Sequence, residues 1–397
     1  MTRFKTSVLQ SSNSVSQVTS DDGDATDFSH NFTQFVADNV DHNVRTLDGN
    51  NIFHGMGIIA ATTMLKVGTG CITAGHIQHL PRKKMSDLCQ EVAVSIVPYH
   101  KKPGIGLETI KMSNIRFLKT TTLLPPVTNI NILWHMYGVR PVADLRPNWS
   151  GYMQTVCSGT HAPLSTVNIL PILDLKPTDL SCIYTTLLFV RDQAKKLNTV
   201  PSVTFDQPLY IKAVDICIAE NLCVVCRLGG FHTLMNFLGA VGHVMKGSGL
   251  EEIMGLLYRT NTVGHVLSGK AFARSVKGHF IIHDALMQLL LLTVLKDRYE
   301  ADRNQLFCAD DVIAAVSHMY EQCWKDKVDV HDCSIIDSEV LTDVQQQLED
   351  LKRSLASQSR TCRLWLQYTE HIDLVKFFIL SERTSDWFLH LATSGNM

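Results

Sequence analysis

Two carboxylates stand where an acid is costly unless it has a task. Asp38 follows the apolar residues Phe35, Val36 and Ala37 in TQFVADNVDHNVRTLDG, and Asp206 closes PSVTFD just ahead of Gln207 and Pro208. An ionised carboxylate at the end of a buried strand is destabilising unless it is solvated, paired or bound to a cation. Carboxylate oxygens are the donors that hard divalent cations take, so the pair Asp38 and Asp206 is a candidate ligand set for Mg²⁺ or Mn²⁺. Metal ions held this way stabilise the attacking and leaving oxygens of phosphoryl transfer. Each acid also has a plain structural use: Asp38 can close a turn through Asn39, and Asp206 can cap the helix that Pro208 opens.

The elements that must position them follow from hydrophobic periodicity. FTQFVAD and NIFHGMGIIAATT, separated by the turn-like RTLDGNN, predict a hairpin. Apolar residues at 183, 187, 188, 190 and 194 predict a helix over 179–197, followed by the strand PSVTFD. QPLYIKAVDICIAEN is a helix with Pro208 in its first turn and Asn221 near its end, and LCVVCRL is a short buried strand. Strand, helix, strand makes a parallel pair, and the expected sheet also contains the 33–37 strand. Asp206 then lies at the carboxyl edge of the sheet, where open α/β folds bind ligands. FHTLMNFLGAVGHVM predicts a helix over 231–246 with Leu234, Met235, Leu238 and Val241 inward, packed on that sheet. Helices continue over 280–299, 309–325, 337–357 and 362–380.

The expected organisation is a Ser-, Thr- and Asp-rich disordered leader over 1–28, an α/β core over 29–300, and a helical C-terminal region over 301–397. The core is interrupted by a weakly patterned insertion at about 64–165, where Glu91–Val97 reads as a short strand.

Composition narrows the function classes. The chain has 397 residues, 36 Lys plus Arg against 38 Asp plus Glu, and 45% hydrophobic side chains. That balance supports a sizeable core and excludes a strongly basic arm that holds nucleic acid through charge alone. Eleven irregularly spaced cysteines without a preceding apolar signal point to a reducing, intracellular setting. The run Ala285–Leu295 is shorter than the ~20 residues of a membrane span and reads as a buried helix, so no membrane partner is expected. Cys223 and Cys226, three apart in a strand, read as core rather than as a redox pair. His279 and His283 have helical zinc-pair spacing but lack a following Glu and a third ligand. Gly229 and Gly230 allow either an anion-friendly turn or a simple reversal. The clusters Arg82-Lys83-Lys84 and Lys352, Arg353, Arg360 and Arg363 read as solvated faces.

Longer words carry a resemblance. ADNVDHN, FHGMGI, DQPLYIKA, RLGGFHTLMNFLGAVGHVMKGSGL, NTVGHVLSGKA, RSVKGHF and SERTSDWFLHL, in this order, resemble a family of uncharacterised animal proteins present as many near-copies per genome. Those proteins look like products of mobile elements. The resemblance implies a ribonuclease H-like mixed sheet with flanking helices, Asp38 and Asp206 as the first two catalytic acids, and a third from a late helix, Glu382 or Asp386 in SERTSDW. It also implies Mg²⁺ or Mn²⁺ as cofactor, DNA as partner and a nuclear site of action. Relative to that family the chain looks truncated at both ends, so an inactive remnant is one form of this reading. A non-catalytic interaction or scaffold protein, with both acids as caps, is the alternative.

Overall fold

Alternation of buried and half-exposed residues in the first two apolar stretches produces the expected hairpin. In the computed structural model the described residues are 31–43, 52–64, 94–102, 125–139, 146–157, 165–300, 309–325 and 338–397. The 1–28 leader and the Arg82-Lys83-Lys84 cluster lie outside them. Among the described residues there are five strands: β1 (Asn31–Asn43), β2 (Ile52–Met64), β3 (Ser165–Ile169), β4 (Ser202–Phe205) and β5 (Val225–Leu228). The helices there are α1 (Pro125–Gly138), α2 (Trp149–Val156), α3 (Leu180–Lys196), α4 (Gln207–Glu220), α5 (Gly230–Val244), α6 (Leu250–Leu257), α7 (Thr260–Leu267), α8 (Phe272–Glu300), α9 (Ala309–Lys325), α10 (Glu339–Gln358), α11 (Arg360–Thr384) and α12 (Trp387–Asn396). They fall into two units, one formed by 1–115 with 163–232 and the other by 116–162 with 233–397.

The first unit is mixed α/β. Its sheet has the order β3-β2-β1-β4-β5. β2 is antiparallel to β1 and β3, whereas β4 runs parallel to β1 and β5 parallel to β4, so only β2 opposes the rest. Phe35, Ala37, Met56, Ile58, Val203 and Phe205 share one core with Ile183, Leu187 and Val190 of α3 and with Leu209, Ala213 and Ile216 of α4. The strand-helix-strand unit expected around Asp206 is present. Asn221 ends α4 in the left-handed conformation, with φ 50°, a role Asn tolerates better than most residues. The strand expected at Glu91–Val97 is not formed over its described part, 94–97. Instead of joining a ladder, the backbone there donates to side-chain hydroxyls of α3: Val97 N to Thr185 Oγ1 at 2.9 Å and, just beyond, Tyr99 N to Ser181 Oγ at 3.1 Å.

The second unit is helical in its described parts. NILWHMYGV, which carries no one-sided period, lies largely in α1: Ile132, Leu133, Trp134, Met136 and Tyr137 are all buried, and a helix buried all round shows no amphipathic stripe. Leu234, Leu238 and Val241 of α5 are buried, in one cluster with Val263, Ile282 and Ile372, while Met235 is only half-buried. The apolar run at 285–295 is part of α8. That helix is long and apolar enough to cross a membrane by length and composition, yet Met287, Leu291, Val294 and Leu295 lie in the core of this unit.

Candidate functional site

The register of β1 on β4 decides where the two acids stand. Phe35 pairs with Val203 and Val36 with Thr204, and continuing that parallel register sets Asp38 level with Asp206. Asp206 is still extended, at φ −67° and ψ 169°, so the continuation is geometrically natural. Alternation along a strand puts Asp38 on the same face as Gln34 and Val36, opposite the buried Phe35 and Ala37. Gln34 Nε2 donates to Thr204 Oγ1 at 2.7 Å across that face. On the other side of Asp38 the β2 partner is Gly57, which presents no side chain toward it.

Both carboxylates also make local hydrogen bonds. Asp206 Oδ1 accepts from Leu209 N at 3.0 Å, the N-cap of α4, and Asp38 Oδ1 accepts from Asn39 N at 2.7 Å. In each case the bond uses one oxygen. Carboxylate oxygens on adjacent strands fit a hard divalent cation in donor type. Among the described residues, however, no group of three or more His, Cys, Asp or Glu is placed to hold a metal ion. Glu382 lies in α11 of the helical unit, where its Oε1 is 3.0 Å from His390 Nδ1, and Asp386 N-caps α12 through Leu389 N at 2.9 Å.

The helical unit contains a buried polar network that sequence reasoning missed. Lys376 is buried, and its Nζ faces three acceptors: His135 Nε2 at 3.1 Å, His283 Nδ1 at 3.3 Å and Asn131 Oδ1 at 3.4 Å. One ammonium has three protons, so these partners match its donors. The partners also assign the imidazole tautomers. His135 Nδ1 donates to Asp284 Oδ1 at 3.0 Å. His283 Nε2 lies 3.0 Å from Asp373 Oδ1, an ion-pair distance that is off the line of a good hydrogen bond. Arg146 closes the chain, donating to Asp284 Oδ2 and to the Trp134 carbonyl, each at 2.7 Å, with its guanidinium 3.6 Å from the centre of the Trp134 ring. Lys376 Nζ also lies 4.8 Å from the centre of the Trp149 ring.

Burial sets the charge states. It pushes His135 down to about 3, helped by the Lys376 charge and opposed by Asp284, so this imidazole is neutral. His283 is lowered by the same burial, against the pull of Asp373. Lys376 is brought down to about 8, with Asp373 and Asp284 limiting the drop. Burial would raise Asp284, but His135 and Arg146 hold it at about 2. Two carboxylates therefore offset Lys376 and Arg146, as a buried charge requires.

The remaining motifs resolve simply. His279 is buried and meets Tyr368 Oη through Nδ1 at 2.9 Å; with His283 it lines the α8 face toward α11. Cys226 lies 3.6 Å, sulfur to sulfur, from Cys217 of α4, and Cys223 is exposed. Lys352 and Arg353 pair with Glu349 and Asp350 on the surface of α10. The i, i+4 spacing of His279 and His283 was the one visible trace of the polar network.

No curated protein and no solved structure matches the chain. Residues 148–397 match the family described as Domain of unknown function (DUF8702). That match spans α2 and most of the helical unit together with β3, β4 and β5, and it includes Asp206, Lys376 and Glu382. With well over half its length matched, the chain belongs to the DUF8702 family.

Proposed function

We propose that the first unit is a ribonuclease H-like core and that the protein is a transposon-derived, nuclease-like protein acting on DNA. The carrying observation is the register that sets Asp38 on the central strand level with Asp206 just past its parallel neighbour. The strand order β3-β2-β1-β4-β5, with β2 alone reversed, is the order that reading requires. A divalent cation bound between these carboxylates would supply charge neutralisation at a scissile phosphate. Within the chain, Asp38 and Asp206 would hold the cation, and the α4 amide of Leu209 fixes the Asp206 carboxylate. Glu382, the third acid that the resemblance implies, lies in the helical unit with its Oε1 3.0 Å from His390 Nδ1.

The scaffold reading rests on the two local hydrogen bonds, since a capping Asp needs no cation. Asn separates the two, because it caps nearly as well as Asp but carries no charge. Scanning calorimetry of wild type, Asp38→Asn and Asp206→Asn, with and without Mn²⁺, should give a Mn²⁺-dependent rise in melting temperature for wild type alone. Identical melting of all three under every condition would leave capping as the full role of both acids. Supercoiled DNA nicked in Mn²⁺ by wild type and untouched by both variants would carry the reading through to activity.

A further inference from the structure

A cavity of about 870 Å³ opens within the helical unit beside the Lys376 network, walled by α1, α2, α8 and α11 and the 146–148 stretch. Its volume is that of a small-molecule site. We propose that it binds a nucleoside phosphate.

Charge is the first reason. Arg146, Lys277, Lys376 and Arg383 line the cavity against a single carboxylate, Asp284. Asp284 is already committed to Arg146 and His135, and Lys376 is balanced by Asp373 at 3.7 Å. Lys277 and Arg383 have no carboxylate partner among the described residues. Cations converging on one concave surface repel one another, and an anion between them relieves that repulsion. The first turn of α2 lies in the same wall. Asn148 Oδ1 accepts from Gly151 N at 2.7 Å, which leaves the amides of Trp149 and Ser150 as first-turn donors that reinforce the preference for an anion.

The flat walls are the second reason. Trp149 Nε1 donates to Asn131 Oδ1 at 2.7 Å, which fixes the indole. Phe280 packs edge-to-face on it with ring centres 5.9 Å apart. Arg146 is held flat against Trp134 by its two 2.7 Å hydrogen bonds. Trp134 and Trp149 are themselves buried and serve to fix their neighbours, so the flat surfaces on which a nucleobase can stack are the half-buried Phe280 ring and the planar Arg146 guanidinium, both of which line the cavity. A bare inorganic anion would leave these surfaces unused, and an apolar ligand would leave the cations unmet. A base joined to a phosphate uses both.

The site shares no residue with the Asp38 and Asp206 pair, so its test runs on the full chain in EDTA and stands whatever the outcome at those acids. Isothermal titration with ATP, GTP, CTP and UTP, alongside adenosine and inorganic phosphate, should show at least one nucleotide binding at least tenfold more tightly than either fragment. Lys277→Ser and Arg383→Ser alter exposed side chains, so both variants should fold, as near-unchanged melting would verify. Each should weaken nucleotide binding at least tenfold. Absence of binding by all four nucleotides, phosphate binding as tightly as they do, or affinity unchanged in both variants would overturn the proposal.

Discussion

Gln34 Nε2 donates to Thr204 Oγ1 at 2.7 Å, tying β1 to β4 just ahead of Asp38 and Asp206. The bond crosses the sheet face that carries both acids and lies within the parallel register that sets them level. A double-mutant cycle of Gln34→Leu and Thr204→Val should return a coupling of about 0.5–1.5 kcal/mol, the net worth of such a bond. Strict additivity would mean that it contributes nothing to the register.

Removing the Lys376 ammonium strands acceptors inside the helical unit. Lys376→Met keeps the volume but leaves His135 Nε2, His283 Nδ1 and Asn131 Oδ1 without their donor and Asp373 without its cation. Breaking a buried pair from one side costs about 3–5 kcal/mol. Urea unfolding followed by tryptophan fluorescence should show a loss of that size, and a loss below about 1 kcal/mol would assign the network no structural weight.

The same network predicts stability that rises with pH on both its acid and its alkaline flank. His135, faced by Lys376 from α11, His283 and Asp284 from α8, and Arg146, sits at about 3 when folded against 6.5 when unfolded. The unfolded chain binds its proton first, so stability falls as pH drops through that window, by at most about 1.4 kcal/mol per pH unit. Asp284, at about 2 against 3.8, contributes stability that is present above 3.8 and lost as pH falls toward 2. Lys376, at about 8 against 10.5, again leaves the unfolded chain holding more protons, so stability rises with pH between those values. Urea midpoints of wild type should follow these slopes. His135→Gln should flatten the upper acid window, and Lys376→Met the alkaline one.

Two glycines separate close packing from empty space. A Cβ on Gly242 of α5 would lie 2.1 Å from the Leu267 carbonyl oxygen, whereas one on Gly264 of α7 would meet nothing within 4 Å. Gly242→Ala should therefore destabilise by about 1–3 kcal/mol, the cost of overpacking. Gly264→Ala should stabilise by roughly 0.5–1 kcal/mol through helix propensity. Equal effects in thermal melts would contradict the close approach of α5 to the end of α7.

What the sequence makes legible is local. The apolar runs of β4 and β5, Pro208 in the first turn of α4 and Asn221 at its end define a strand-helix-strand unit with Asp206 as its cap, and all of these are in place. The hairpin follows from two β-rich stretches and a turn. α1 is not legible, because burial on every side erases the period that marks a helix. The Lys376 network is not legible either: Lys376 and His135 are 241 positions apart, and their meeting depends on the packing of α1, α8 and α11. The level placement of Asp38 and Asp206 lies between these cases. Each acid is visible as a strand-end carboxylate, but the register that sets them level is a property of the sheet.

The most direct measurement of the central claim is a crystal structure of the protein soaked with Mn²⁺ and recorded at the manganese absorption edge. An anomalous peak between the carboxylates of Asp38 and Asp206, absent from crystals of Asp38→Asn, is the expected result. Carboxyl groups more than ~8 Å apart, too far to share the paired cations of a phosphoryl-transfer site, or a fully occupied soak with no peak at either acid, would contradict it.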